Sequence, residues 1–412
     1  MVRSTFPCLD GPAANDCQAV ATRFDALDLD MELDKLRLRE DPNPETGELI
    51  HWIATDGGLL PQEDYGRVQA FYKKLARTRY LDLTHFKGEK YETELKSWAA
   101  TIKIPIGVDR PKLRNAGKFF KSQLFKITMI LGTSSLLEAY ASWKGVHVLC
   151  QTGQLSKHAN RRLAESWQFV MYVCEPDGFD PSKGRALDAI RRIRLMHGGI
   201  RWLILNDEKR KVPRLPKPQP WDTNTYGLPI NGEDLLGMML GFSRVITRDL
   251  PKIGSPVTPD EAEDYRYLWD VIGEMLGVEA PLRPRTVDEA AQLFCAIKRR
   301  QQTKDCVLDC DDGAKMARAL LDFYTTWKGI PSGLRAFLRR RMVALMRHLV
   351  GDFVCDLVRL PQAGTFAQLV AGADSGLIDA LGAAVLGHAG VTVLKMPVKP
   401  YQIPRSLLSN FG

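Results

Sequence analysis

Residues 185–204 read RALDAIRRIRLMHGGIRWLI, and the spacing of their apolar positions decides the fold class. Ala186, Ile190, Ile193, His197, Ile200 and Ile204 follow a 4-3-4-3-4 series, which draws one stripe down one face of a helix. Five members are apolar and one is an imidazole. Arg194 and Arg201 stand three before and four after that imidazole, on its side of the helix.

Outward from this segment the same periodicity recurs. Helical spacing covers Gln62 to Lys74, Asn115 to Trp143 and about Lys157 to Cys174, with a turn-rich loop over Glu175–Lys183. A helix opens near Gly232. Thr258-Pro-Asp-Glu261 reads as a capping box opening a helix to about Gly277, and Thr286-Val-Asp-Glu289 repeats the Thr-to-Glu spacing. Further helices are expected over Asp311–Trp327, Gly333–Val358 and roughly Gly376–Leu386. Strand-rich runs are scarce, so the chain is expected to be all-α.

Residues 1–60 are acidic, broken by Pro and Gly and weakly periodic apart from Met31–Leu38, and read as an N-terminal extension. One helical domain over 61–400 and a tail over 401–412 follow, because nothing between reads as a linker. Lys209–Tyr226, with four prolines among basic residues, reads as an exposed excursion.

With 412 residues and 45% hydrophobic content the chain can bury a sizeable core. Its 57 Lys and Arg against 49 Asp and Glu leave a net charge of +8, yet no zinc-finger spacing or RNA-recognition signature accompanies it. No specific nucleic-acid partner is therefore expected. Eight cysteines are too dispersed for a disulfide scaffold and are expected to be mostly reduced, and Cys306 with Cys310 lacks further ligands for zinc. No run approaches the ~20 apolar residues of a membrane span. The polar start of the chain, with Asp10, Asp16, Pro7 and Pro12, gives a cytoplasmic protein as the expectation.

An imidazole on an apolar stripe has two readings. It is a hydrogen-bonded core residue, or it presents one nitrogen to a flat iron cofactor, with Arg194 and Arg201 placed to meet haem propionates. On the preceding helix Arg162, Ser166, Phe169 and Val173 share a face, with a polar pair leading into an apolar patch. That face suits dioxygen and a greasy substrate, while Arg161 and Arg162 pairing with Glu165 on the surface is the plainer alternative.

Several segments together resemble a family. Thr152-Gly-Gln-Leu-Ser156, Arg162-Leu-Ala-Glu-Ser166, Ile193-Arg-Leu-Met-His-Gly-Gly-Ile-Arg201, Pro229-Ile-Asn-Gly-Glu-Asp-Leu-Leu-Gly237 and Gly241-Phe-Ser243 are similar to the rubber oxygenases called latex-clearing proteins and the related MpaB-type oxygenases. The likeness covers roughly residues 110–280, and Tyr265, Trp269 and Gly273 continue it.

The resemblance implies an all-α fold with a globin-like helical core around a haem and additional helices. It implies haem b and dioxygen-dependent cleavage or oxygenation of a lipophilic, isoprenoid alkene, small or polymeric. His197 matches the family's iron ligand, Arg194 and Arg201 the arginines beside it, and Arg162 the arginine of the distal helix. Ser166 stands for a threonine, keeping the hydroxyl. Glu165 replaces a lysine that reaches the iron, so the far side of the iron is closed differently here. Glu138 and Glu165 are candidate catalytic carboxylates. Glu233 and Asp234 read as first-turn acids favoured by the helix dipole, with a role behind the haem pocket as the alternative. The competing functions are a non-catalytic haem carrier or sensor, and a haem-free helical interaction protein using basic stretches such as Arg335–Arg347.

Overall fold

The computed structural model describes residues 21–38, 42–77, 80–151, 166–206, 221–303, 311–325 and 332–373, with 376 and 378. Among them there is no strand; helices make up the body. In chain order they are α1 (Leu29–Leu38), α2 (Pro44–Thr55), α3 (Tyr65–Leu75), α4 (Glu92–Thr101), α5 (Arg110–Ser122), α6 (Leu124–Ile130), α7 (Leu136–Ala141), α8 (Trp143–Gln151) and α9 (166–173). They continue with α10 (Ala186–Leu205), α11 (Thr223–Tyr226), α12 (Gly232–Phe242), α13 (Arg244–Asp249), α14 (Pro259–Leu276), α15 (Val287–Gln301), α16 (Asp311–Thr325), α17 (Ser332–Leu357) and α18 (Thr365–Ala373).

Local signals set these boundaries where the sequence carries them. Thr258 caps α14 with a complete capping box and Gly277 closes it in the left-handed region, as the spacing predicts. Thr286 likewise accepts from the Glu289 amide, but the Glu289 carboxylate turns to Arg23 and the Arg285 amide, so the box is half made. The helix expected over Asn115–Trp143 starts earlier, at Arg110, because Asp109 accepts from the Lys112 amide and Pro111 suits a first turn. It then breaks at Gln123, and a π-turn over Leu131–Ser135 separates α6 from α7. At Gly132 a Cβ would overlap the Tyr324 hydroxyl, so the turn brings its backbone against α16. The helix at the C-terminal side is interrupted at Gly351 (φ 84°, ψ 166°), a backbone that suits glycine.

Two apolar cores share α10. The larger gathers α1, α5–α7, α9, α12–α17 and Ala186 and Ile190 of α10. The smaller joins α2, α3 and α4 to Leu195, Met196, Trp202 and Leu203 on the back of α10. Thus the segment read as an extension contributes to the body: Leu33 and Leu36 of α1 lie in the larger core, and α2 packs along α10. Its weak periodicity hid this, because the anchor of α1 is an ion pair. Arg37, 2% exposed, donates Nε to Glu233 (2.6 Å) and Nη2 to Asp234 (3.1 Å), two residues of α12.

Among the described cysteines Cys150, Cys174 and Cys355 are free thiols, in line with the expectation of mostly reduced thiols, whereas Cys295 is disulfide-bonded. Cys306, Cys310, the prolines of the 209–220 excursion and the 379–386 part of the expected helix lie outside the described residues.

Candidate functional site

The back of α10 is fixed by two glycines. A Cβ on Gly198 would come 2.6 Å from Thr46 Cγ2, and one on Gly199 would overlap the Tyr72 phenol, so α10 lies directly against α2 and α3. Tyr72 Oη donates to the Leu195 carbonyl (2.5 Å) and Trp98 Nε1 to Thr46 Oγ1 (3.0 Å), closing that face. At about 100° per residue, His197 then points away from the smaller core, with Ile190, Ile193, Ile200, Ile204, Arg194 and Arg201 within about 60° of it.

The front face has two flanks. On one side Arg194 Nη1 donates to the Met275 carbonyl at the end of α14 (3.0 Å) and Nη2 pairs with Glu45 of α2. On the other, Ile200 and Ile204 pack with Val148 of α8, Trp221 and Ile230. Arg201 donates Nε to the Pro229 carbonyl (2.9 Å) and Nη2 to the Ile230 carbonyl (2.8 Å). Both arginines therefore brace α10 against its neighbours through these bonds, a use the sequence does not announce.

The same two helices flank α12. Phe242 stacks on Trp269 of α14 (4.7 Å between centroids, 8°), while Asp234 Oδ1 lies 3.5 Å from where a Cβ of Gly145 in α8 would sit. Between those contacts the helix stands open. Met238 is 43% exposed, Gly237, Gly241 and Phe242 are half-buried, and a Cβ on Gly241 would meet nothing within 4 Å. His197 and Ile193 are also half-buried, although their neighbours Arg194, Leu195 and Met196 are buried. Both α10 and α12 thus pack against α8 and α14.

These residues fit a haem. His197 Nδ1 is shut off from solvent while the ring as a whole is only half-buried, and the ring stands on an apolar stripe. An imidazole among isoleucines is a donor suited to iron in a flat apolar ligand. Nothing else in the vicinity competes as a cluster: among the described residues no group of three or more His, Cys, Asp or Glu could hold a metal ion.

Other sequence candidates fall elsewhere. Arg162 and Glu165 lie outside the described residues. Ser166 is exposed at the start of the described part of α9, whereas Phe169 and Val173 of the same stripe turn to the larger core. Glu138 is buried and bound by Arg248 Nη1 (3.0 Å), Lys298 Nζ (2.9 Å) and Gln302 Nε2 (2.8 Å). Burial alone would raise its carboxyl pKa, but Lys298 and Arg248 outweigh it and hold the group below its ordinary value. It is an ionised structural carboxylate, which suits it poorly to accept a proton. Glu233 and Asp234 stand in the first turn of α12, as expected, and also bind Arg37, while Glu233 takes Arg300 Nε (3.3 Å) and Gln301 Nε2 (3.0 Å) as well. His147 meets Asp312 (3.2 Å) and His348 the Lys252 carbonyl (2.9 Å), in line with ordinary hydrogen bonding. Sequence reasoning missed the open face of α12; only the glycines at 237 and 241 in a Leu- and Met-rich helix hinted at it.

The described residues define an all-α protein whose long central helix carries an imidazole on an apolar stripe. Residues 126–378 match the family described as ER-bound oxygenase mpaB/B'/Rubber oxygenase, catalytic domain, and the chain belongs to that family. Among curated proteins it is similar to the rubber oxygenase of Streptomyces sp. (strain K30), 22% identical over 273 residues. That match takes in 65% of this chain and 61% of the relative, so the chain matches about three fifths of the relative's length. Among solved structures the latex clearing protein LCP in its closed state superposes with a TM-score of 0.59 at 18% identity, over 90% of this chain and 91% of that one. The helical fold is thus shared with latex clearing protein. No helix among the described residues is long and apolar enough to cross a membrane.

Proposed function

We propose that the protein is a haem b-dependent oxygenase that uses dioxygen to cleave or oxygenate the double bond of a lipophilic, isoprenoid alkene. The observation that carries the reading is the half-buried His197 on the apolar front of α10, with its Nδ1 shut off from solvent. Family membership supports the oxygenase class.

In this reading the His197 imidazole holds the iron, and the haem supplies the means to bind and activate dioxygen. The chain's own residues do the rest. Gly198 and Gly199 seat α10, so the imidazole is set by backbone packing. Arg194 and Arg201 keep the helix from rotating by bonding to carbonyls on either side of it. Ile193, Ile200, Met238 and Phe242 exclude water and receive the alkene, because an apolar wall favours a hydrocarbon by about 25 cal/mol per Å² removed from water. The resemblance would give Arg162 and Ser166 the role of hydrogen-bond donors toward dioxygen, and Glu165 stands where that family carries lysine. In the cleavage reaction both oxygen atoms of one dioxygen end in the product, the double bond giving way to two carbonyl groups. The substrate is a small or polymeric alkene.

The test is an ultraviolet–visible spectrum with a pyridine haemochrome assay on the purified protein beside His197→Ala. A Soret band at about one haem per chain, lost in the variant, is the expected result. Full haem retention by His197→Ala, or no haem after reconstitution of the wild type, refutes the assignment.

A further inference from the structure

The segment from Tyr226 to Asn231 is held from three directions. On one side Arg37 of α1 donates Nη1 to the Tyr226 carbonyl (2.7 Å) and accepts from the Leu228 amide (3.2 Å). Gly227 (φ 71°) lies so close that a Cβ would overlap the Arg37 side chain and carbonyl. On the opposite side Arg201 of α10 takes the Pro229 and Ile230 carbonyls. Below, Asn231 Nδ2 donates to the Leu228 carbonyl (2.9 Å) while Asn231 Oδ1 caps α12 through the Asp234 amide (3.0 Å).

Inside this frame Ile230 adopts φ 56°. A β-branched residue in the left-handed region is a true outlier, and it persists only where its surroundings over-determine it. Here they do, and the result is directional. The Ile230 side chain packs against the cluster of Ile200, Ile204 and Val148, the flank of the front face that carries His197, as well as against the larger core.

We infer that Ile230 is a positioning residue: its strained backbone, clamped by Arg201, fixes the side chain on Ile200 and Ile204 and so sets the rotation of the α10 turn that presents His197. This deepens the haem reading and rests on it. One arginine serves both ends of the device, since its backbone belongs to α10 and its guanidinium holds the strained residue. The pair forms a closed loop of α10, Arg201, Ile230 and Ile200, which turns a local backbone strain into a constraint on the helix one turn from the imidazole.

The experiment compares wild type, Ile230→Gly and Ile230→Val in the full chain. Glycine relaxes the left-handed residue and removes the side chain, whereas valine keeps the branch and the strain. Two readouts are taken: amide hydrogen exchange across residues 193–205, and haem release to an apo-myoglobin scavenger with the ferric and ferrous spectra. Expected for Ile230→Gly are exchange and haem release about tenfold faster, with shifted bands, the range seen when supports behind a metal ligand are lost. Its thermal midpoint stays within about 3 °C, because relief of strain offsets the lost contact. Ile230→Val returns to wild-type values. The inference is overturned if Ile230→Gly exchanges and releases haem within about twofold of wild type. It is also overturned if valine is as impaired as glycine, or if the midpoint collapses in step with haem loss. A wild type that takes up no haem refutes the haem reading, and unchanged exchange separately refutes the brace.

Discussion

Gly199→Ala isolates the contact that orients the candidate ligand helix. The added methyl overlaps Oη and Cζ of Tyr72, which is 1% exposed and whose hydroxyl bonds the Leu195 carbonyl (2.5 Å). Forcing one carbon into so tight a core costs about 1–3 kcal/mol. Displacing the phenol leaves a buried hydroxyl without its acceptor, about another 1–3 kcal/mol, while alanine in a helix returns about 1 kcal/mol over glycine. The net expectation is a loss of about 3 kcal/mol, read from urea denaturation. Tyr72→Phe removes one of the overlapping atoms, so Gly199→Ala should cost at least about 1 kcal/mol less in that background. Gly237→Ala is the control: its Cβ would meet only Ile297 Cγ2 at 3.7 Å, and it should be neutral or stabilising by up to about 1 kcal/mol. Equal effects at 199 and 237, or strict additivity with Tyr72→Phe, would show that the glycines do not seat α10.

Two further predictions concern the buried ions. Asp249 is buried, which alone would raise its pKa, but Arg248, Lys252 and Ser134 outweigh this and lower it to about 2. A carboxylate depressed in the folded state adds stability that is fully present above its unfolded pKa near 4 and lost as pH falls toward 2, here about 2 kcal/mol. Urea midpoints of wild type should fall over that window and those of Asp249→Asn should stay flatter, the two converging near pH 2; parallel curves would contradict the assignment. Arg37→Met leaves Glu233, 1% exposed, with only Arg300 and Gln301, and should cost about 3 kcal/mol and expose α1 to proteolysis ahead of α14. Unchanged protease resistance in α1 would mean that its leucines alone hold it.

What the sequence makes legible is what repeats locally. The His197 stripe, the Thr258 cap and the helices around them need only neighbours within a few residues, so periodicity and capping chemistry reveal them. Docking of α1 depends on Arg37 meeting Glu233, 196 positions away, and no local pattern carries that. Glu233 therefore looks like an ordinary first-turn acid in sequence. Glu138 misleads for a similar reason: a lone helical glutamate gives no sign that Arg248 and Lys298 converge on it. The arginines beside His197 are legible as a pair, but their acceptors are backbone carbonyls of Met275, Pro229 and Ile230, which have no sequence signature. The resemblance brings Pro229-Ile-Asn-Gly232 to attention, yet only the backbone angle at Ile230 explains why the stretch needs such close support.

In the haem reading, a ligand space beside α10 would follow from how that helix is held. Its back must be flush, since two glycines and a tyrosine leave no tolerance there, whereas its front is braced only at the flanks by Arg194 and Arg201. A helix fixed at the back and along both edges resists rolling forward, and α12 is itself held by Trp269 and Arg37. Interiors ordinarily collapse to crystal-like packing, so an apolar space that survives must be walled by elements anchored elsewhere. In the haem reading, helices anchored in this way would keep a ligand space beside His197 open.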